Sequence, residues 1–400
     1  MTTRNIFFKW NFIKRIFSCF IFIFLFNTAV NAEYFSLEEI NFTMDIPEGF
    51  TISDINDTSI FLESKLMPVK LALKLYPTEV YKDSKTALED TFKQLGTTGE
   101  IEEVDWYGRD CYISTFQFVL PDQKLYSGWG LALQVPFKDN PSQKINIMFL
   151  TYADAEISRD CDQYMLSILD SIFFTAEDFR RPGPVTVFAF PESEDDSVIL
   201  NIGGKRIESK IKKDSIERST FVLEREYAVL RIYANQKNWK EAWQRYYRTI
   251  FKESYSALDQ VSKDIYKTLL PQAQLINFEN PNIEILKMLL DWVQDFNYVR
   301  DTKNTDFTPI TASVQGVGSD CDSRSLLMCT ILEHMGYKTE LFISREYSHA
   351  VFGVDAKQKG AAITVDGIEY NLGETTAKVD FGLIAQEQRD TEKWIPVDLP

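Results

Sequence analysis

The stretch GSDCDSRSLLMCTILEHMGY, residues 318–337, places a cysteine between two aspartates at the start of a predicted helix. Ser319 or Asp320 is suited to the N-cap position, because a short polar side chain accepts a hydrogen bond from the first helical turn. Free backbone N–H groups and the helix dipole favour negative charge at this end of a helix. The position of Cys321 therefore predicts a reactive thiol.

The aspartates that flank Cys321 act in the opposite direction, because a nearby negative charge disfavours a thiolate. Unless these carboxylates point outward or pair with Arg324, a neighbouring imidazolium is needed to stabilise the thiolate. The chain has two histidines. His334 lies near the end of the predicted helix, where it complements the C-terminal dipole. His349 lies in SHAVFGVD, a predicted strand, and is therefore the expected partner of the thiol.

A carboxylate is expected to fix the orientation of the histidine by accepting its second ring N–H. The next predicted strand, IEYNLGETT, offers Glu374, and an adjacent antiparallel strand brings it towards His349. Asp366 falls in a turn and Asp355 at a strand end, so both are weaker candidates. Glu374 is the predicted acid of a Cys-His-acid triad.

An oxyanion hole is predicted from the backbone N–H of Cys321 and the side-chain amide of Gln315. Gln315 lies in the loop QGVGSDC, where glycines allow the chain to approach closely before the helix begins. Asp320 is predicted to support the site from the position before the nucleophile. A zinc site made of the triad residues lacks the short ligand spacing of most such sites, so we expect no metal or other cofactor.

These motifs resemble the transglutaminase-like superfamily, which has G-D-C-x-D, a later strand with His-Ala, and a strand that ends in an acid before Thr. In this chain they are residues 318–322, His349 with the following alanine, and Glu374 with the following threonine. The resemblance implies a papain-like core with a triad of Cys321, His349 and Glu374. The chain departs from the family motifs at two positions. Ser319 occupies a position where the family has glycine, and the acid, Glu374, is a glutamate where aspartate is commoner.

The patterning of the whole chain predicts a multidomain α+β protein. Residues 33–176 predict an α/β sandwich with an antiparallel sheet, and the motifs MDIPEGF and ILDSIFF resemble PsbP-like domains, which bind or present without catalysing. Residues 177–280 predict a linker, a small β unit and a long amphipathic helix that ends at Pro271. In this middle part FVLEREYAVLRIYA is predicted as a strand or strand pair. Residues 281–400 form the expected catalytic domain.

The N-terminus predicts export. Four basic residues precede the apolar run IFSCFIFIFLF, and small residues precede Ala32, so residues 1–32 are expected to be a cleaved signal peptide. The alternative is an uncleaved membrane anchor, although the run is shorter than the ~20 residues that span a bilayer. The protein is therefore expected in the periplasm or outside the cell. A net charge of −16 excludes a basic nucleic-acid footprint.

Four cysteines lie beyond the predicted signal peptide, too few for a disulfide scaffold. Cys111 and Cys161 either form a disulfide or remain two separate buried thiols, and the sequence leaves both open. Cys321 and Cys329 lie on one predicted helix about 12 Å apart, too far for a bridge. Cys321 is therefore expected to be a free thiol.

The leading hypothesis is an exported, thiol-dependent acyl-transfer enzyme that hydrolyses an amide in a protein or peptide, such as a cell-wall peptide. Hydrolysis is favoured because water is the default acceptor and nothing in the sequence indicates an amine site. The first alternative is an exported binding or scaffold protein whose catalytic domain is inactive. The second is a cross-linking transglutaminase, in which an amine resolves the thioester.

Overall fold

The computed structural model describes residues 34–56, 58–300, 305 and 307–399. The predicted signal peptide, 1–32, lies outside the described residues. The chain forms two compact units. The first comprises the residues up to Asp178 with Gly183–Ala189 and Ala228–Arg245; the second comprises Phe179–Pro182, Phe190–Tyr227 and the residues from Tyr246 onward. Among the described residues, no helix combines the length and the apolarity that crossing a membrane requires.

The first unit is built on a seven-stranded sheet and a three-stranded sheet, both antiparallel. The strands are β1 (Tyr34–Leu37), β2 (Phe42–Asp45), β3 (Phe50–Asn56), β4 (Ser59–Ser64), β5 (Lys70–Pro77), β6 (Ile101–Asp105), β7 (Asp110–Val119), β8 (Leu125–Pro136), β9 (Lys144–Asp154) and β10 (Ile172–Phe173). The larger sheet has the order β3-β4-β5-β9-β8-β7-β6, and the smaller one has the order β1-β2-β10. The helices are α1 (Ser84–Gln94), α2 (Ser158–Asp170), α3 (Ala176–Phe179) and α4 (Pro184–Ala189).

Both faces of the large sheet are buried, because successive side chains on a strand point to opposite faces. On β5, Leu73 belongs to the same core cluster as Met165 of α2. The preceding residue, Ala72, belongs to a second cluster with Leu88 of α1. The two helices therefore cover opposite faces, and the α+β class with antiparallel sheets is confirmed.

The two cysteines of the first unit are not bridged. Cys111 on β7 and Cys161 on α2 are both buried and both free. The sequence leaves open whether Cys111 and Cys161 form a disulfide or remain separate. In the structure they are two separate thiols. Burial raises the pKa of each thiol, so both are unreactive core residues in the folded chain.

The second unit combines helices with a five-stranded antiparallel sheet. A separate two-stranded sheet is formed by β11 (Asp195–Ile202) and β12 (Lys205–Lys212). The five-stranded sheet is formed by β13 (Thr339–Ser344), β14 (His349–Val354), β15 (Ala362–Val365), β16 (Ile368–Gly373) and β17 (Ile395–Asp398). The remaining helices, of which α5 and α6 contribute residues to both units, are α5 (Ser215–Ile232), α6 (Trp239–Tyr255), α7 (Asp259–Ile276), α8 (Pro281–Gln294), α9 (Ile310–Val314) and α10 (Cys321–His334). The sheet order is β15-β16-β14-β13-β17, and α10 packs against β13 and β14.

Two predictions for the middle of the chain are wrong. The segment predicted as a strand or strand pair is helix α5, whose buried residues include Val222, Glu226 and Val229 at helical spacing. Because glutamate is normally a surface residue, the sequence alone does not reveal that Glu226 belongs to the buried face of this helix. The predicted long amphipathic helix is two helices, α6 and α7, separated by a 3₁₀ turn at Ser256–Leu258. Pro271 lies inside α7 instead of ending it.

Candidate active site

Cys321 is the first residue of α10, as the sequence predicts. The side chain of Asp320 caps the helix by accepting hydrogen bonds from the backbone N–H of Ser323 at 3.0 Å and from its hydroxyl at 2.6 Å. This N-cap fixes the position of the cysteine at the end of the helix, where only 8% of the residue is exposed.

Two contacts join the start of α10 to the start of β14. The backbone N–H of Ala350 lies near the sulfur of Cys321 and acts to lower the pKa of this thiol. One helical turn further on, the hydroxyl of Ser325 donates to the backbone oxygen of Ala350 at 3.2 Å. Ala350 directly follows His349, so the helix and the strand bring the thiol and the imidazole to the same end of β14.

The sheet leaves this end of β14 accessible on one side. On the β16 side, the pairing of β14 begins at Phe352, opposite Gly373, the last residue of β16. The first residues of β14 therefore extend past β16. Glu374, which follows β16 directly, reaches His349 at this position.

His349 and Glu374 form a partly buried pair. The Nε2 atom of His349 lies 2.6 Å from Oε2 of Glu374. The other carboxylate oxygen, Oε1, accepts hydrogen bonds from the backbone N–H and the hydroxyl of Thr376, each at 2.6 Å. Burial opposes ionisation of Glu374, but its hydrogen bond to His349, the charge of that ring and the Thr376 bonds together hold the pKa of the carboxyl below its usual range.

The second ring nitrogen of His349, Nδ1, is available as a proton acceptor. Within the described residues, Nδ1 of His349 makes no hydrogen bond. A carboxylate on Nε2 favours the proton on that nitrogen and leaves Nδ1 as a proton acceptor. The arrangement thus presents a base at the end of the strand where Ala350 lies near the sulfur of Cys321.

The thiol itself is held in its protonated form. Burial raises the pKa of the Cys321 thiol, and the charges of Asp322 and Asp320 raise it further. The sulfur donates a hydrogen bond to Oδ1 of Asp322 at 3.1 Å, and the hydroxyl of Tyr247 donates to the other oxygen of this carboxylate. The effect of the helix N-terminus that the sequence predicts is therefore outweighed, and Cys321 must lose its proton to a base before it can attack.

Arg324 organises the site in a way that the sequence did not indicate. Its guanidinium is buried and donates to three backbone oxygens: those of Phe296 at 2.7 Å, Ser319 at 3.2 Å and Thr375 at 3.2 Å. The loop before Cys321 and the residue after Glu374 are thereby tied to one side chain. The Nε atom of Arg324 donates a hydrogen bond to the hydroxyl of Ser319 at 3.2 Å.

A second positioning residue, Gln294, was also missed. Its side-chain nitrogen donates to the backbone oxygen of Glu374 at 2.8 Å and to that of Val379 at 3.0 Å. Gln294 is the last residue of α8 and is buried among apolar neighbours. The one sequence signal that could have identified Gln294 is a polar residue at a buried position of an apolar helix.

Gln315, the predicted oxyanion donor, is not brought to the thiol by any hydrogen bond. It follows α9, is exposed, and its side-chain amide makes no hydrogen bond within the described part of the chain. The backbone N–H of Cys321 likewise has no acceptor among the described residues and remains available. No group of three or more His, Cys, Asp and Glu side chains in the described ranges is arranged to hold a metal ion.

Comparisons with known proteins add little to this geometry. No protein-family model matches the chain, and no curated protein matches it. Over its N-terminal part the chain is similar to the solution structure of cyanobacterial PsbP (CyanoP) from Synechocystis sp. PCC 6803. The TM-score is 0.28 at 10% identity, over 37% of this chain and 96% of that one. At this TM-score the similarity carries no argument about this chain.

Proposed function

We propose that the chain is an exported, thiol-dependent acyl-transfer enzyme of transglutaminase-like type that acts on an amide of a protein or peptide. The observation that carries the proposal is the partly buried His349–Glu374 pair, with its 2.6 Å hydrogen bond, at the end of β14 where Ala350 lies near the sulfur of Cys321. A histidine oriented by a carboxylate beside a thiol is the arrangement that nucleophilic acyl transfer requires.

The proton transfers follow from the protonation states of the resting site. Cys321 carries its proton at rest, so His349 takes this proton through Nδ1 as the sulfur attacks the amide carbonyl. The imidazolium, stabilised by Glu374, then gives the proton to the leaving amine as the C–N bond breaks. In the second half, His349 takes a proton from water, the hydroxide attacks the thioester, and the thiol is regenerated.

The tetrahedral intermediates need hydrogen-bond donors for the oxyanion. The free backbone N–H of Cys321 is the donor that the geometry supports best, because it lies on the nucleophile itself. The position of Gln315 does not support the second donor predicted from sequence. Water is the proposed acceptor. In a cross-linking transglutaminase an amine would take its place.

A second candidate is an exported binding protein that keeps the arrangement without turnover. The hydrogen bond from Cys321 to Asp322 favours it, because this bond stabilises the protonated, unreactive thiol. Export in both cases is supported by the basic and apolar pattern of residues 1–32. The two candidates differ in whether Cys321 ever carries an acyl group.

The test is to trap the thioester. The protein is incubated with short peptide amides and activated acyl esters, quenched in acid, and the mass of the Cys321 peptide is measured. The proposal predicts an acyl adduct that Cys321→Ala abolishes and that Cys329→Ser, a change at the buried cysteine of the same helix, retains. An added primary amine then separates hydrolysis from transfer by the product formed. Absence of any adduct with every donor, while the protein remains folded, would support the binding protein instead.

A further inference from the structure

A cleft of about 360 Å³ lies in the second unit and is lined by residues of β15, β16 and the segment that precedes β17. This volume is at the lower end of the range for small-molecule sites and accommodates one large side chain. Its apolar lining is Ala362, Ile363, Leu372, Leu383, Ile384 and Trp394. The cleft is therefore suited to an apolar group.

The cleft and the imidazole share one wall. Trp394 lines the cleft, and its ring centroid is 6.4 Å from that of His349. Residues two apart on a strand face the same side, so His349 and Val351 share a face of β14. Val351 packs in one cluster with Trp394 and with Leu372, which also lines the cleft. A group bound in the cleft would thus contact an indole ring that also lies close to the imidazole of His349.

Two polar groups of the cleft lack partners. Arg389 is the one charged residue of the lining, and no carboxylate pairs with it within the described residues. The side-chain oxygen of Gln388, also in the lining, is buried and accepts no hydrogen bond among the described residues. A buried acceptor without a donor is uncommon in folded proteins, because nothing offsets its loss of hydration. The cleft therefore offers a cation for an anion and an acceptor for an N–H group.

We propose that this cleft is a substrate subsite that binds an apolar residue of a peptide with a carboxylate beside that residue. The apolar walls hold the side chain, Arg389 pairs with the carboxylate, and the oxygen of Gln388 accepts a peptide N–H. The assignment as a substrate subsite rests on the proposed function. The carboxylate comes from either a neighbouring acidic residue or the chain terminus, and the experiment below separates these sources.

The test is calorimetric titration of the full chain carrying Cys321→Ala, which prevents turnover. Three amidated peptides contain phenylalanine followed by glutamate, glutamine or lysine, and a fourth ends in phenylalanine with a free carboxylate. We expect the glutamate peptide, the free-carboxylate peptide or both to bind about fivefold more tightly than the glutamine peptide, as an exposed ion pair allows. Arg389→Gln removes this preference, and Leu383→Asp, at a half-exposed lining residue, weakens all four peptides. Arg206→Gln, at an exposed arginine on β12, changes none of them.

The inference is overturned if the four peptides bind equally, if the carboxylate preference survives Arg389→Gln, or if Leu383→Asp has no effect. Binding does not depend on chemistry, so the outcome is separable from the trapping of the thioester. An acyl adduct on Cys321 without peptide binding in the cleft would leave the proposed function standing and remove the subsite. Binding in the cleft without any adduct would retain a peptide site and remove its assignment to a substrate.

Discussion

Asp322 is the group whose removal should activate the thiol. Its Oδ1 accepts a hydrogen bond from the sulfur of Cys321 at 3.1 Å, and its charge is the largest contribution after burial to the raised thiol pKa. Asp322→Asn keeps the size and the polarity of this side chain but removes the charge. The asparagine oxygen can still accept the hydrogen bond of Tyr247. The substitution therefore isolates the electrostatic effect on the thiolate.

The magnitude follows from Coulomb's law. Two unit charges about 4 Å apart interact by about 4 kcal/mol at an effective dielectric constant of about 20. This corresponds to a change of about a thousandfold in the fraction of thiolate. A thiolate of lower pKa is also less nucleophilic, with a Brønsted coefficient of about 0.4–0.5, so the rate of thiol–disulfide exchange rises less. We expect an increase of about thirtyfold to sixtyfold for Asp322→Asn.

The assay is the rate at which a neutral aromatic disulfide, dipyridyl disulfide, reacts with native Cys321 at neutral pH. A matched control exists because the chain repeats the triplet Asp-Cys-Asp at residues 160–162. Asp162→Asn changes a carboxylate beside Cys161, which is fully buried on α2 and should not react. This control should leave the rate at Cys321 unchanged. If Asp322→Asn reacts no faster than the wild-type chain, the electrostatic explanation of the protonated thiol is refuted.

Three further outcomes are expected. Brief alkylation of the native chain, mapped by peptide mass, should modify Cys321 before the other described cysteines, which are at most 1% exposed and become reactive only on unfolding. Arg324→Met should lower the free energy of unfolding in urea by about 3 kcal/mol, because three carbonyl oxygens lose a charged donor, whereas Arg206→Met on the surface should change it by less than about 0.5 kcal/mol. Glu374 has a depressed pKa in the folded chain, so its ionised form stabilises above the unfolded pKa of about 4.3 and this contribution is lost as the pH falls through the folded value. The stability difference between the wild type and Glu374→Gln in urea titrations should therefore shrink between pH 6 and pH 3, and a constant difference would contradict the role of the charge.

The sequence predicted the elements of the site where local pattern determines local structure. The N-cap at Asp320 and the strand that begins at His349 depend on residue types that are adjacent in the chain. The small β unit predicted for the middle of the chain is the hairpin of β11 and β12, in which Gly203 and Gly204 adopt the positive φ angles of its turn, 57° and 74°. These features need no knowledge of the tertiary structure.

The sequence could not predict which backbone groups, distant in the chain, a buried side chain binds. Arg324 binds carbonyl oxygens of residues 296, 319 and 375, and every residue type carries such an oxygen, so no side-chain pattern identifies the partners. The two Asp-Cys-Asp triplets show the same limit. At residues 160–162 the cysteine is a core residue on a helix, whereas at 320–322 it begins a helix that packs against the strand of His349. Tertiary context decides which of the two is a candidate nucleophile.

Helix α5 shows how a buried ion pair hides a helix. Arg225 and Glu226 are both almost fully buried and are bonded at 2.8 Å. Both residue types are normally on the surface, so their presence breaks the apolar spacing that identifies a core helix. The remaining apolar residues then fit a strand about as well as a helix.

The most direct test of the triad compares the two histidines of the chain. The rate of alkylation of Cys321 by iodoacetamide is measured from pH 5 to pH 10 for the wild type, His349→Ala and His334→Gln. His334 is a suitable control because its ring is stacked on Tyr255 and bonded to a backbone oxygen, away from the thiol. We expect His349→Ala to lower the rate at neutral pH and to change the pH profile of the reaction, while His334→Gln retains both the rate and the profile. An unchanged rate and pH profile for His349→Ala would contradict the assignment of His349 as the base of Cys321.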